Sequence, residues 1–162
     1  MAKWIMHGVD DYVAYLQRIG KSTGSIIGEA VYAMAGIVAD KVRDSLESLG
    51  TVSNAANIAT YRQGYSRLSD VEKDGLLEGL GISPMQDDSG YRHVKIGFDG
   101  YNEVKTKKYP KGQPNALIAR VTESGSSYRK KTPFIRPAVQ AAEKAAIEAA
   151  KEKIDEGIQH AG

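Results

Sequence analysis

Acid–base chemistry in this 162-residue chain would have to come from three histidines, His7, His93 and His160, and from carboxylate pairs such as Asp87-Asp88. A nucleophile needs a base within hydrogen-bond reach, and histidine is the usual base. None of the three stands in a Gly-x-Ser-x-Gly elbow or a His-Glu-x-x-His pair, so surface or structural roles are expected for all of them. Asp87-Asp88-Ser89-Gly90 lacks the alternating oxygen ligands and closing glutamate of a calcium loop and reads as a hairpin turn. Gly79-Leu80-Gly81 lacks the third glycine of a dinucleotide fingerprint. Gly20-Lys21-Ser22 lacks the upstream glycine of a phosphate loop. With no cysteine, thiolate metal sites, disulfides and thiol catalysis are excluded. No catalytic residue, metal ligand or cofactor-binding residue is expected.

Two basic clusters remain. Lys105, Lys107, Lys108 and Lys111 lie between Tyr101 and Pro114, and Arg129-Lys130-Lys131 follows Tyr128. Lysines interleaved with aromatics can contact phosphates and stack on bases. The plainer readings are solvated loops, or a charged contact with an acidic protein partner. A net charge of only +2 does not mark a nucleic-acid binder by bulk charge. The chain has the size of one domain and, at 41% hydrophobic residues, can bury a core. No stretch approaches the roughly 18 uninterrupted apolar residues of a membrane span. The N-terminus lacks the apolar run of a signal peptide, so synthesis in a reducing cytoplasm is expected.

The elements that must position these groups follow from periodicity. Val9, Tyr12, Val13 and Leu16 predict a first helix, ended by Gly20. Ser22 or Thr23 then caps a second helix running to Leu49, with a stripe from Ile27 through Val42 and Leu46. From 51 to 67 the period fails and a loop or a partly ordered excursion is expected, anchored by Tyr61, Tyr65 and Leu68. Ser69-Asp70-Val71-Glu72 reads as a capping box before a short helix. A hairpin follows, with a strand at Ile82–Met85, a turn over Gln86–Gly90 and a strand at Tyr91–Phe98. Asn115 to Glu123 is read as a short helix capped by Asn115, in preference to a strand. A last helix starts near Thr132-Pro133 or Arg136-Pro137, since proline suits a first turn. Its apolar face is Val139, Ala142, Ala146, Ile147, Ala150, Ile154 and Ile158.

The most specific text is Arg120-Val121-Thr122-Glu123-Ser124-Gly125-Ser126-Ser127, followed by Thr132-Pro133-Phe134-Ile135-Arg136-Pro137-Ala138-Val139. It resembles the C-terminal signature of the tail-completion, or head–tail joining, proteins of long-tailed, non-contractile bacteriophages. Ser124-Gly125-Ser126 stands where a Gly-Thr pair is common in that family. The likeness extends over nearly the whole chain, least over 51–67. Physically, Pro133 and Pro137 fix the chain direction into the helix, Phe134 plugs an apolar gap, and Glu123 and Arg136 are positioned to pair across the turn. These five residues are expected to hold the fold first and an interface second.

The expected fold is α+β in a single domain over residues 1–162. A small antiparallel sheet including the hairpin is packed by the long second helix and the long C-terminal helix. The resemblance implies a non-enzymatic virion protein at the tail or neck, made in the host cytoplasm. It implies a ring of identical copies, sixfold, touching the tail tube protein and the head connector proteins while DNA passes through. A closed ring needs two different patches per subunit. The loops carrying Lys105, Lys107, Lys108, Lys111, Arg129, Lys130 and Lys131 are the candidates for one patch or for the lumen. The alternatives are a DNA-binding or packaging accessory protein that grips phosphate with those lysines, and a small enzyme of unrecognised type.

Overall fold

A computed structural model describes residues 9–61 and 66–161. His7 and Tyr65 lie outside the described residues, as do the side chains of Val9, Tyr12 and Tyr61. In chain order the elements are α1 (Val9–Glu47), α2 (Asn54–Tyr61), α3 (Asp70–Gly79), β1 (Leu80–Ile82), β2 (Gln86–Asp88), β3 (Tyr91–His93), β4 (Ile96–Phe98), α4 (Asn115–Ser124) and α5 (Ile135–Ala161). The α+β class, with a small antiparallel strand set and two long helices packed together, is therefore the observed fold.

The two expected N-terminal helices are one, because Gly20 is absorbed into α1 and the break does not occur. Glycine costs a helix only about 1 kcal/mol relative to alanine, less than a period running unbroken through it supplies. Ser22 and Thr23 are interior residues, and the Thr23 hydroxyl turns back onto the Ile19 carbonyl at 2.8 Å. By length and composition, the stretch from Val13 to Glu47 is also long and apolar enough to cross a membrane. Counting uninterrupted apolar residues misses this, because Ser, Thr and Gly interleave the aliphatics. Core helices of globular proteins can be as long and apolar, but they are mostly buried, whereas only 17% of the apolar window of this one is.

Within the 51–67 segment Asn54–Tyr61 is helical, so the partly ordered alternative is the observed one there. The capping box at Ser69 is formed as read. Its hydroxyl accepts from the Glu72 amide at 3.3 Å, and the Glu72 carboxylate accepts from the Ser69 amide at 2.9 Å. Lys73 on α3 donates to the Glu47 and Leu49 carbonyls at 2.6 and 2.9 Å, closing the end of α1 with a cation where the helix dipole favours one.

The hairpin is longer and less regular than expected. β1 pairs with β4 (Leu80 opposite Phe98) and β2 with β3 (Gln86 opposite His93), both antiparallel. Between the ladders three residues, Ser83 to Met85, face two, Val94 and Lys95, so the strands bulge there and Pro84 escapes the ladder. The turn narrows to Ser89-Gly90, both at positive φ, as a two-residue hairpin turn requires. Asp87 fastens it, accepting from the Gly90 amide at 2.7 Å and from Arg92 at 3.1 Å. The Gly90 amide first, and then Arg92, hold the Asp87 carboxyl below its ordinary range. The hairpin leans on α1: Arg92 donates to the Gly24 carbonyl, and the Met85 amide to the Tyr32 hydroxyl at 2.8 Å.

α5 runs antiparallel to α1, from Ala138 in the core beside Leu46 to Gly157 against Ile26. Its buried seam is Ala138, Ala142, Ala146 and Ala150. Only the alanines of the expected apolar face are inside; Val139, Ile147, Ile154 and Ile158 are exposed. The helices approach so closely that a Cβ on Gly157 would press into Ile26, and at that separation only small side chains fit. The core itself joins Val42, Leu46, Leu68, Leu76, Leu80, Ile118, Phe134 and Ala138.

Candidate functional site

The signature residues converge on the start of α5. Glu123, on the last turn of α4, reaches across the turn and accepts from three successive backbone amides: Phe134 at 2.7 Å, Ile135 at 2.8 Å and Arg136 at 3.0 Å. Those amides have no partner inside their own helix, and a carboxylate there also meets the positive end of the dipole. The Glu123 carboxylate thus bonds the Arg136 backbone rather than its side chain, and Arg136 is exposed. Phe134 is fully buried and meets Phe98 edge-on, centroids 5.9 Å apart. Pro133 and Pro137 flank it on the exposed side.

Partial burial alone would raise the Glu123 carboxyl, but the Ile135, Phe134 and Arg136 amides and the Arg136 charge outweigh it and hold it low. A depressed carboxyl contributes stability that is complete above its unfolded value and is lost as pH falls through its folded one. Glu123→Gln should therefore melt lower than the wild type at pH 7, by about 0.5–2 kcal/mol for a lost cap. The gap should narrow below the ordinary glutamate value of 4.5. Melting curves of both proteins from pH 7 to pH 3 check this, and a gap independent of pH would contradict it.

The lysine loop is a built scaffold. Buried Asn102 organises it, its side-chain oxygen accepting from the Val104 amide at 2.9 Å and the Gln113 amide at 3.3 Å. Thr106 and Tyr109 close a turn by exchanging backbone bonds of 3.0 and 3.1 Å. Gly112, at φ 118°, lies so close to the Asn102 carbonyl that no Cβ fits. Lys105, Lys107, Lys108 and Lys111 are exposed on this frame. The loop passes into α4 at Asn115, which does not cap it. That residue is buried in the first turn, and its amide group donates to the Gly75 and Asp99 carbonyls, each at 2.8 Å.

Arg129 departs most from expectation. It is 7% exposed and lies in the interior, its guanidinium 2.6 Å from the Glu72 carboxylate and 3.3 Å from the Thr122 hydroxyl. It is a structural cation, not a free one, and leaves the set of partner or lumen candidates. Glu72 thus bonds both the start of its own helix and the 126–131 loop. That loop is held further by the Ser66 and Lys130 amides, which donate to Tyr128 and Ser66 carbonyls at 3.2 Å. Lys107 and Lys108 line a groove of about 420 Å³ that has Glu72 and Arg129 in its wall. Lys130 and Lys131 line a different groove, beside Leu49 and Pro133. These two lysine pairs therefore border separate grooves.

His93 stacks on Tyr91 and lies 3.1 Å from the Gln86 side chain and 3.8 Å from Asp88, and His160 bonds the Glu156 carbonyl at 2.7 Å. Among the described residues, no group of three or more His, Asp or Glu side chains is arranged to hold a metal ion. What the pattern of residue types concealed is the outer face of the helix pair. Val13, Leu16 and Ile27 on α1 and Val139, Ile147, Ile154 and Ile158 on α5 are all exposed. Compared with known proteins, the chain matches no family model, no curated protein and no solved structure.

Proposed function

We propose that this chain is a structural virion protein of a long-tailed phage that completes the tail tube and joins tail to head at the neck, as a ring of copies. The observation carrying this reading is the apolar stripe left in solvent along the α1–α5 pair. Aliphatic side chains at helical spacing on an outer face are what assembly by surface complementarity uses. A ring also needs two different patches per subunit, and the stripe has an α1 part and an α5 part; the ordered lysine loop is left for the lumen. The role is non-enzymatic, and DNA is threaded without being gripped. Particles assembled without the protein, viewed in negative stain, should be separate DNA-filled heads and finished tails. Normally joined virions would refute the proposal.

The second reading is a DNA-binding or packaging accessory protein. It is favoured by four exposed lysines on one rigid loop. Each phosphate contact adds nearly one unit to the slope of log affinity against log salt. Steeply salt-dependent DNA binding by the purified protein would support it over the first.

A further inference from the structure

α5 ends beside Ser22: Ala161 and His160 border one hollow with Ser22, Ser25 and Ile26. α1 begins at Val9, so its first three to four turns run past the end of its partner for about 20 Å. From Val13 to Lys21 every residue except Tyr15 and Ile19 is exposed, Leu16 by 48%. A lone helix this short is marginal in water, and this one carries an apolar face that the described chain does not cover. Val13, Leu16 and Gly20 lie on that face at spacings of three and four, in line with Ile27. Nothing lies within 4 Å of a Cβ built on Gly20, so another helix could approach closely there.

The opposite need exists on α5. Ile147, Ile154 and Ile158, spaced seven and four apart, form an exposed ridge beside the alanine seam. Lys151 and Lys153 are taken up by Glu148 and Glu156 at 3.0 and 2.7 Å. Asp155, next to Ile154, has no ion pair among the described residues, and neither has Lys21 at the margin of the α1 face.

We propose that the overhanging turns of α1, centred on Leu16, dock on the Ile147–Ile158 ridge of α5 in a second copy of this chain. The contact joins two different surfaces; made one way round at each copy, it is heterologous and repeats from copy to copy. It rests on the ring reading and supplies that ring with its two patches.

The absence of cysteine makes the test direct. Gln17→Cys marks the overhang and Lys151→Cys marks the ridge, and the two full-length variants are mixed and treated with a short bismaleimide. The mixed adduct should outnumber both same-variant adducts. Leu16→Glu added to the Gln17→Cys chain should abolish the mixed adduct, whereas Ile154→Glu added to that same chain should leave it intact. Ile154→Glu on the Lys151→Cys chain should abolish it again, which separates loss of contact from loss of folding. No excess of mixed adduct, or a predominance of same-variant adducts, would overturn the proposal. Mixed adduct from a protein whose omission still gives joined virions would keep the docking and discard the neck role.

Discussion

Arg129→Met is expected to lower stability by about 3–5 kcal/mol, the cost of leaving a buried carboxylate without its partner. Glu72 is 2% exposed and its only ion pair among the described residues is with Arg129. For a protein of this length each kcal/mol moves the melting temperature by roughly 2–4 °C, so the loss is large enough to read from a thermal scan. The mechanism has a signature beyond its size. The double variant Glu72→Gln, Arg129→Met removes both charges, while the amide oxygen still accepts from Ser69. It should therefore melt above Arg129→Met alone, a coupling that independent sites do not show. A wild-type melting temperature in the single variant would mean that the guanidinium is not where the structure has it.

Phe134→Ala is expected to cost a similar 3–5 kcal/mol, the usual range for emptying a fully buried aromatic site. Phe134 fills the space where α5 enters the core, against Phe98. Phe134→Leu keeps most of the volume and should lose distinctly less. Both are read by thermal or urea unfolding at pH 7, and an unchanged midpoint for the alanine variant would remove Phe134 from the core.

What could be read in the sequence was local. Ser69 and Glu72 stand three apart, and spacing alone predicts the two bonds they make. Pro133 and Pro137 bracket the helix start for a reason internal to that turn. The helix read over Asn115–Glu123 is formed, one residue longer, although Asn115 does not cap it and is spent on other elements. Arg129 went wrong because its partner is 57 residues earlier in the chain, and beside Lys130 and Lys131 nothing distinguishes a buried cation from a solvated one. The α5 face went wrong because composition ranks isoleucine above alanine for burial, while the separation of two helices can reverse that order. Gly20 misled by its usual meaning as a stop. The proposed docking surfaces were visible only once α1 was known to outrun α5.

Glu123 also makes two helices mechanically one. The chain leaves the lysine loop at Pro114 and enters α4 through Asn115, which is tied to Gly75 and Asp99. At the far end of α4 the Glu123 carboxylate grips the first amides of a 27-residue helix. A load applied to that loop is thus carried along ten residues of α4 and delivered to the root of α5.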